Sequence, residues 1–188
     1  MSVTSVIALQ FYSERFEMGR LFAIVIALIS AQLAAAQSFE EAVRANAALA
    51  LRLCTQAMID GTSSAAVFAP AGFAYRSIDR GVNSYGIALG LDHYWDAPAD
   101  TVKVSVANPD GHPGLCQVLT THLTQPALDA LLRETLFQTH PGARMGSENS
   151  IMIDTPSGLP LIITTRTITN NHRYEPPGTV EVTMGYPG

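Results

Sequence analysis

Residues 101–122 read TVKVSVANPDGHPGLCQVLTTH. Val102, Val104 and Val106 alternate with Lys103 and Ser105, the period-two pattern of a strand buried on one face. Asn108-Pro109-Asp110-Gly111 comes next, and each residue suits a tight turn: Asn and Asp bond nearby backbone, Pro presets φ, and Gly tolerates positive φ. A second strand, from Leu115 to His122, then returns antiparallel to the first. No segment of helical period separates the two, so they form a hairpin and not a parallel βαβ unit.

Downstream of this hairpin the chain opens a helix at Thr124, with Pro126 in the first turn where a missing N–H does little harm. Leu128, Leu131, Leu132 and Leu136 form its apolar face, and His140-Pro141-Gly142 ends it. Strands are predicted from Ser150 to Asp154 and, after the Pro156-Ser157-Gly158 turn, from Leu159 to Ile168. A polar loop, Asn170 to Gly178, leads to a last strand, Thr179 to Met184 (TVEVTM), which carries only Glu181 as a charge.

Upstream, strands are predicted from Phe73 to Ile78 and from Ile87 to Trp95, with a turn at Gly81 to Ser84. Gly86 and Gly90 in the second strand read as a bulge or close backbone contact. Before them, Ser38 and Glu41 make a capping box at the start of a helix running from about Phe39 to Asp60. Phe39, Val43, Ala50, Cys54 and Ala57 fall on one side; Glu41, Arg52, Thr55 and Gln56 fall on the other. Gly61 stops it, and a short helical turn from Ser64 to Phe68 precedes Pro70. The expected fold class is α+β: a single twisted antiparallel sheet of about six to seven strands, with the N-terminal helix and a second central helix packed on one face.

The first 36 residues read as a cleavable signal peptide. Arg15 and Arg20 supply positive charge, Leu21 to Ala31 is apolar, and Ala34-Ala35-Ala36 offers small residues for cleavage before Gln37. The stretch from Leu21 to Ala36 has 16 residues, short of the roughly 20 that a bilayer span needs. Glu14 and Glu17 are unusual in such a leader, and Met18 is an alternative start. The expected product is one secreted domain, 37–188, in the periplasm or extracellular space. Export favours pairing of the two cysteines, Cys54 and Cys116. Cys54 lies in the apolar stripe of the first helix and Cys116 alternates with Val118 in the fourth strand, so a disulfide is expected to tie helix to sheet.

Residues 37–188 carry nine basic and fourteen acidic side chains, a net charge of −5. Without a basic cluster, phosphate neutralisation has no platform, so nucleic acid is not an expected partner. No stable membrane anchor is expected after signal cleavage. The densest cluster of chemistry is Asp92-His93-Tyr94-Trp95-Asp96. Asp92, His93, Trp95 and Asp96 are the ligand-binding candidates, because aromatic and polar groups of this kind line pockets; the same five residues also suit an ordinary strand end. Asp110-Gly111-His112 could orient an imidazole, although the same residues serve a turn. No histidine pair has metal-ligand spacing and no C-x-x-C is present, so neither a metal nor a cofactor is expected. Gly81 to Gly86 does not fit the G-x-S-x-G elbow. These readings point to a non-enzymatic binding or accessory module. The alternatives are a small secreted hydrolase with an unrecognised site, and an envelope-assembly component that adds an edge strand to another envelope protein. The last strand is the expected free edge.

Overall fold

The computed structural model describes residues 38–82, 84–147, 150–169 and 175–187. Residues 1–37, with the expected leader and its cleavage point, and Asn83, Glu148, Asn149, 170–174 with His172, and Gly188 lie outside the described residues. The chain divides into two compact units, 1–41 and 42–188. Of the first, only 38–41 are described, and they are helical; the sheet and the other described helical residues belong to the second.

The helices are α1 (38–60), α2 (Ser64–Phe68) and α3 (Gln125–Thr139), with a short 3-10 turn at Pro98–Asp100. The strands are β1 (Ala74–Asp79), β2 (Leu91–Asp96), β3 (Lys103–Val106), β4 (Leu115–Thr120), β5 (Ala143–Met145), β6 (Ile151–Ile153), β7 (Leu161–Thr167) and β8 (Val180–Gly185). All eight join one antiparallel sheet in the order β1-β2-β3-β4-β8-β7-β6-β5. The fold is therefore α+β as the alternation predicts, with one strand more than the upper expectation. The added strand is β5, whose three residues are too few to display a period. Each half has the same plan, a helix followed by a four-stranded meander, and the two meanders meet at the β4–β8 ladder.

Two expectations about strands are corrected. The last strand is not an edge. The chain crosses through α3 to the far side, lays down β5, β6 and β7 on its way back, and ends with β8 between β4 and β7. Val180, Val182 and Met184 are accordingly buried, and so is Glu181. The second strand also starts later, at Leu91. Gly86 and Gly90 hold φ of 75° and 82°, in the left-handed region that breaks a regular ladder. The segment before Leu91 continues the hairpin through an isolated bridge between Val82 and Ala88, with Arg80 N–H to the Gly90 carbonyl at 3.0 Å and Leu89 N–H to the Gly81 carbonyl at 2.9 Å.

Strand pairing sets two faces. One row across the sheet runs Ser77, His93, Val106, Cys116, Met184, Ile163, Ile151; the next runs Tyr75, Trp95, Val104, Val118, Val182. These rows lie beneath the helices, and most of their members join Val43, Ala47, Leu51, Met58, Phe68, Leu128 and Leu136 in one core. Cys54 and Cys116 are bonded, with Cα atoms 5.8 Å apart, so α1 is fixed over the central ladder. Thr55 is corrected: it is buried on the packed side of α1, not on the outer side. Its hydroxyl donates to the Leu51 carbonyl at 2.8 Å and lies 3.4 Å from the Met184 sulfur. A threonine that bonds its own preceding turn brings its hydrogen-bond partner into the core. The polarity of Thr55 therefore did not predict exposure.

Candidate functional site

Among the described residues the helices cover one face of the sheet, and the opposite face carries its own side chains together with Ile168, Glu175 and Pro176 from the segment between β7 and β8. Alternation puts Arg76, Tyr94, Ser105, Gln117 and Thr183 in one row of that open face and Asp96, Lys103, Leu119, Glu181 and Arg166 in the next. Single charged residues set among β-branched neighbours, such as Arg166 in LIITTRTI and Glu181 in TVEVTM, thus converge from strands far apart in sequence.

Among the described residues four ion pairs organise the face. Arg76 donates from Nε and Nη2 to the two Asp96 oxygens at 2.7 and 3.2 Å. Lys103 Nζ lies 3.1 and 3.2 Å from the Glu175 oxygens. Arg166 reaches Glu181 at 3.1 Å, and Arg80 approaches Asp92 at 3.6 Å. Glu181 also accepts from Gln117 Nε2 at 2.7 Å and from the Thr183 hydroxyl, so this buried carboxylate is fully engaged. The Arg76 guanidinium lies 4.9 Å and the Lys103 ammonium 5.3 Å from the centre of the Tyr94 ring, within cation–π range. Hydrogen bonding to Asp96 raises the Arg76 pKa above its ordinary value, with burial opposing it.

Two adjoining clefts open on this face. One, of about 440 Å³, is lined by Arg76, Asp96, Lys103, Thr120, Glu175 and others. The second, of about 260 Å³, lies among Arg80, Tyr94, Ser105, Gln117, Arg166 and Glu181. Leu119 and Glu175 border both.

The five-residue cluster singled out from the sequence is divided by the pleat. Asp92 and Asp96 point to the open face, where they hold Arg80 and Arg76. His93 and Trp95 point to the helix side. Trp95 is buried against Phe68, ring centres 6.0 Å apart, and its indole N–H donates to Ser64 Oγ at 3.2 Å. His93 shares a 2.8 Å hydrogen bond through Nδ1 with the Tyr75 hydroxyl near the sheet edge. The candidates thus do not form one site. Arg76, Arg80, Lys103, Gln117, Arg166, Glu175 and Glu181, which line the clefts, were not among them. The signal for most of these was the outward phase of their strands, which marks a face but not what assembles on it.

Asp110 and His112 do not act together. Asp110 N–H bonds Asn108 Oδ1 at 3.3 Å, and His112 Nδ1 accepts the Gly114 N–H at 3.0 Å. His112 lies instead beside Tyr186, whose hydroxyl donates to the Met58 carbonyl at 2.6 Å. Among the described residues, no three His, Cys, Asp or Glu side chains gather in a metal-like group, and no helix is long and apolar enough to cross a membrane. The chain matches no family model, no curated protein and no solved structure.

Proposed function

We propose that this chain is a non-enzymatic binding or accessory domain of the periplasm or extracellular space, and that the open face of its sheet is the binding surface. The observation that carries the reading is the pair of adjoining clefts on the face opposite the helices, both lined by Leu119 and Glu175, the second also by Tyr94 and Gln117, with ion pairs along them. Concave sites with a few convergent polar groups are where proteins take up ligands. Among the described residues neither cleft is lined by a histidine or a cysteine, and each cation there is held by a carboxylate, an arrangement suited to holding a ligand rather than to transferring a proton. The disulfide and the apolar stretch before Gln37 support an extracytoplasmic setting.

Two measurements test this. Screening the oxidised protein against small solutes, with amide shifts used to locate the contact, should place saturable binding on Tyr94, Ser105 and Gln117 without turnover. Turnover of a bound compound would overturn the non-enzymatic reading. N-terminal sequencing of exported protein should find a start at Gln37; an exported product that retains the leader would contradict the signal peptide.

The assembly alternative now rests on β1. It stands at one end of the sheet and, at six residues, is the longer of the two edge strands. A partner strand added there should protect the β1 backbone from hydrogen exchange.

A further inference from the structure

Each of the four ion pairs on the open face has the same asymmetry. The carboxylates of Asp96, Asp92, Glu175 and Glu181 are 19, 25, 10 and 3% exposed, whereas their partners Arg76, Arg80, Lys103 and Arg166 are 40, 44, 28 and 68% exposed. Among the described residues a further ion pair, Arg144 with Asp154, lies outside the clefts and is reversed, its carboxylate 69% exposed against 50% for the arginine. Within these four pairs the cationic heads face outward and the acids lie beneath; Asp100, on the lining of the first cleft, is the exposed acid beside them.

The hydrogen bonds show which donors remain. Arg76 and Arg166 both use the edge formed by Nε and Nη2 to grip their own carboxylates. A guanidinium has a second donor edge, involving Nη1, that matches a carboxylate or phosphate bidentately. Among the described residues nothing bonds Nη1 of either arginine. Held along one edge by an internal carboxylate, each guanidinium loses less freedom when the other edge engages a ligand.

We infer that this face is an oxyanion site, taking a small solute that bears carboxylate or phosphate groups between Arg80 and Arg166, with Arg76 and Lys103 extending the site into the adjoining cleft. The inference rests on the proposed binding role of the face and specifies its ligand class. A small solute is favoured over an anionic lipid surface because the site is concave, at about 260 and 440 Å³. The net charge of −5 also opposes approach to a negative membrane.

The test is a side-chain and amide NMR titration of the oxidised protein with inorganic phosphate, with citrate, and with neutral glycerol and glucose. Vesicles of phosphatidylcholine, with and without phosphatidylglycerol, provide the lipid arm. Phosphate or citrate should saturate, shift the Arg80 and Arg166 side-chain N–H signals, and bind roughly tenfold more weakly to Arg80→Gln. Because Arg166→Gln alone would leave Glu181 buried and unpaired, the second variant is Arg166→Gln with Glu181→Gln, with the same loss expected. Several outcomes overturn the oxyanion inference. One is glycerol or glucose bound on this face as tightly as the anions, which leaves the binding role intact. Another is unchanged anion affinity in both variants with contacts on the helix side, which removes the binding role as well. Binding only to phosphatidylglycerol vesicles, or no saturable binding of phosphate or citrate, also overturns it.

Discussion

Ser64 and Trp95 show how a polar side chain can be structural in a place that looks functional. The Ser64 hydroxyl accepts the Trp95 indole N–H and donates to the Pro109 carbonyl at 3.1 Å, wholly out of solvent. Ser64→Ala removes the partner of both groups, and a buried unsatisfied donor costs about 1–3 kcal/mol. Chemical denaturation followed by Trp95 fluorescence should show a loss of that size, with phosphate binding unchanged. His140 is a second residue of this kind. Burial lowers its pKa below the ordinary 6.5, with Asp60 opposing the shift. The unfolded chain therefore binds the proton more readily than the folded one. The contribution is fully present above the unfolded pKa and is lost as pH falls from about 6.5 through the folded value. Thermal midpoints should drop across that range, and His140→Gln should drop less; an equal drop would assign the acid sensitivity elsewhere.

At the level of elements, α1 and β2 carry most of the design. β2 sends His93 and Trp95 to the packed face and Asp92, Tyr94 and Asp96 to the open one, so a local cluster in the sequence serves both the core and the cleft wall. The residues of 92–96 were legible as a strand, yet their division became informative only once the helices were placed. α1 was legible in its apolar stripe, where Val43, Ala50, Cys54 and Ala57 are buried although Phe39 is exposed, and the expected cysteine pair is met by the bond to β4. Closing a loop of 62 residues contributes roughly 4 kcal/mol in the chain-entropy account. Cys54→Ala with Cys116→Ala should lower stability by about that amount in denaturant titration. Because the bond pins α1 over the central ladder, amide exchange should accelerate first in α1, before β4 and β8. Uniform acceleration across the sheet would show that the bond does not specifically hold the helix.

For the molecule as one body, the shared β4–β8 ladder joins two similar halves into one core. Neither meander covers its own inner strand: without β8, β4 would present Cys116 and Val118 at a bare edge. Unfolding should therefore be a single transition, with Trp95 fluorescence in the first half and β7 amide exchange in the second reporting the same free energy. Two separated midpoints would mean that the halves fold independently. The order of residues along the chain was enough for the class of the sheet, the two long helices, the hairpin at 101–122 and the cysteine pair. Each of these depends on neighbours within one or two turns of period, or on there being only two cysteines to join. Long-range packing was needed to show that β8 is central, that Thr55 is buried and that β5 exists. It was needed for the open face too: Arg166 and Gln117 both meet Glu181 only because β7, β8 and β4 lie side by side. Alternation tells a strand which residues share a side. Strand order, set by how the whole chain buries its apolar rows beneath the helices, tells those residues whom they meet.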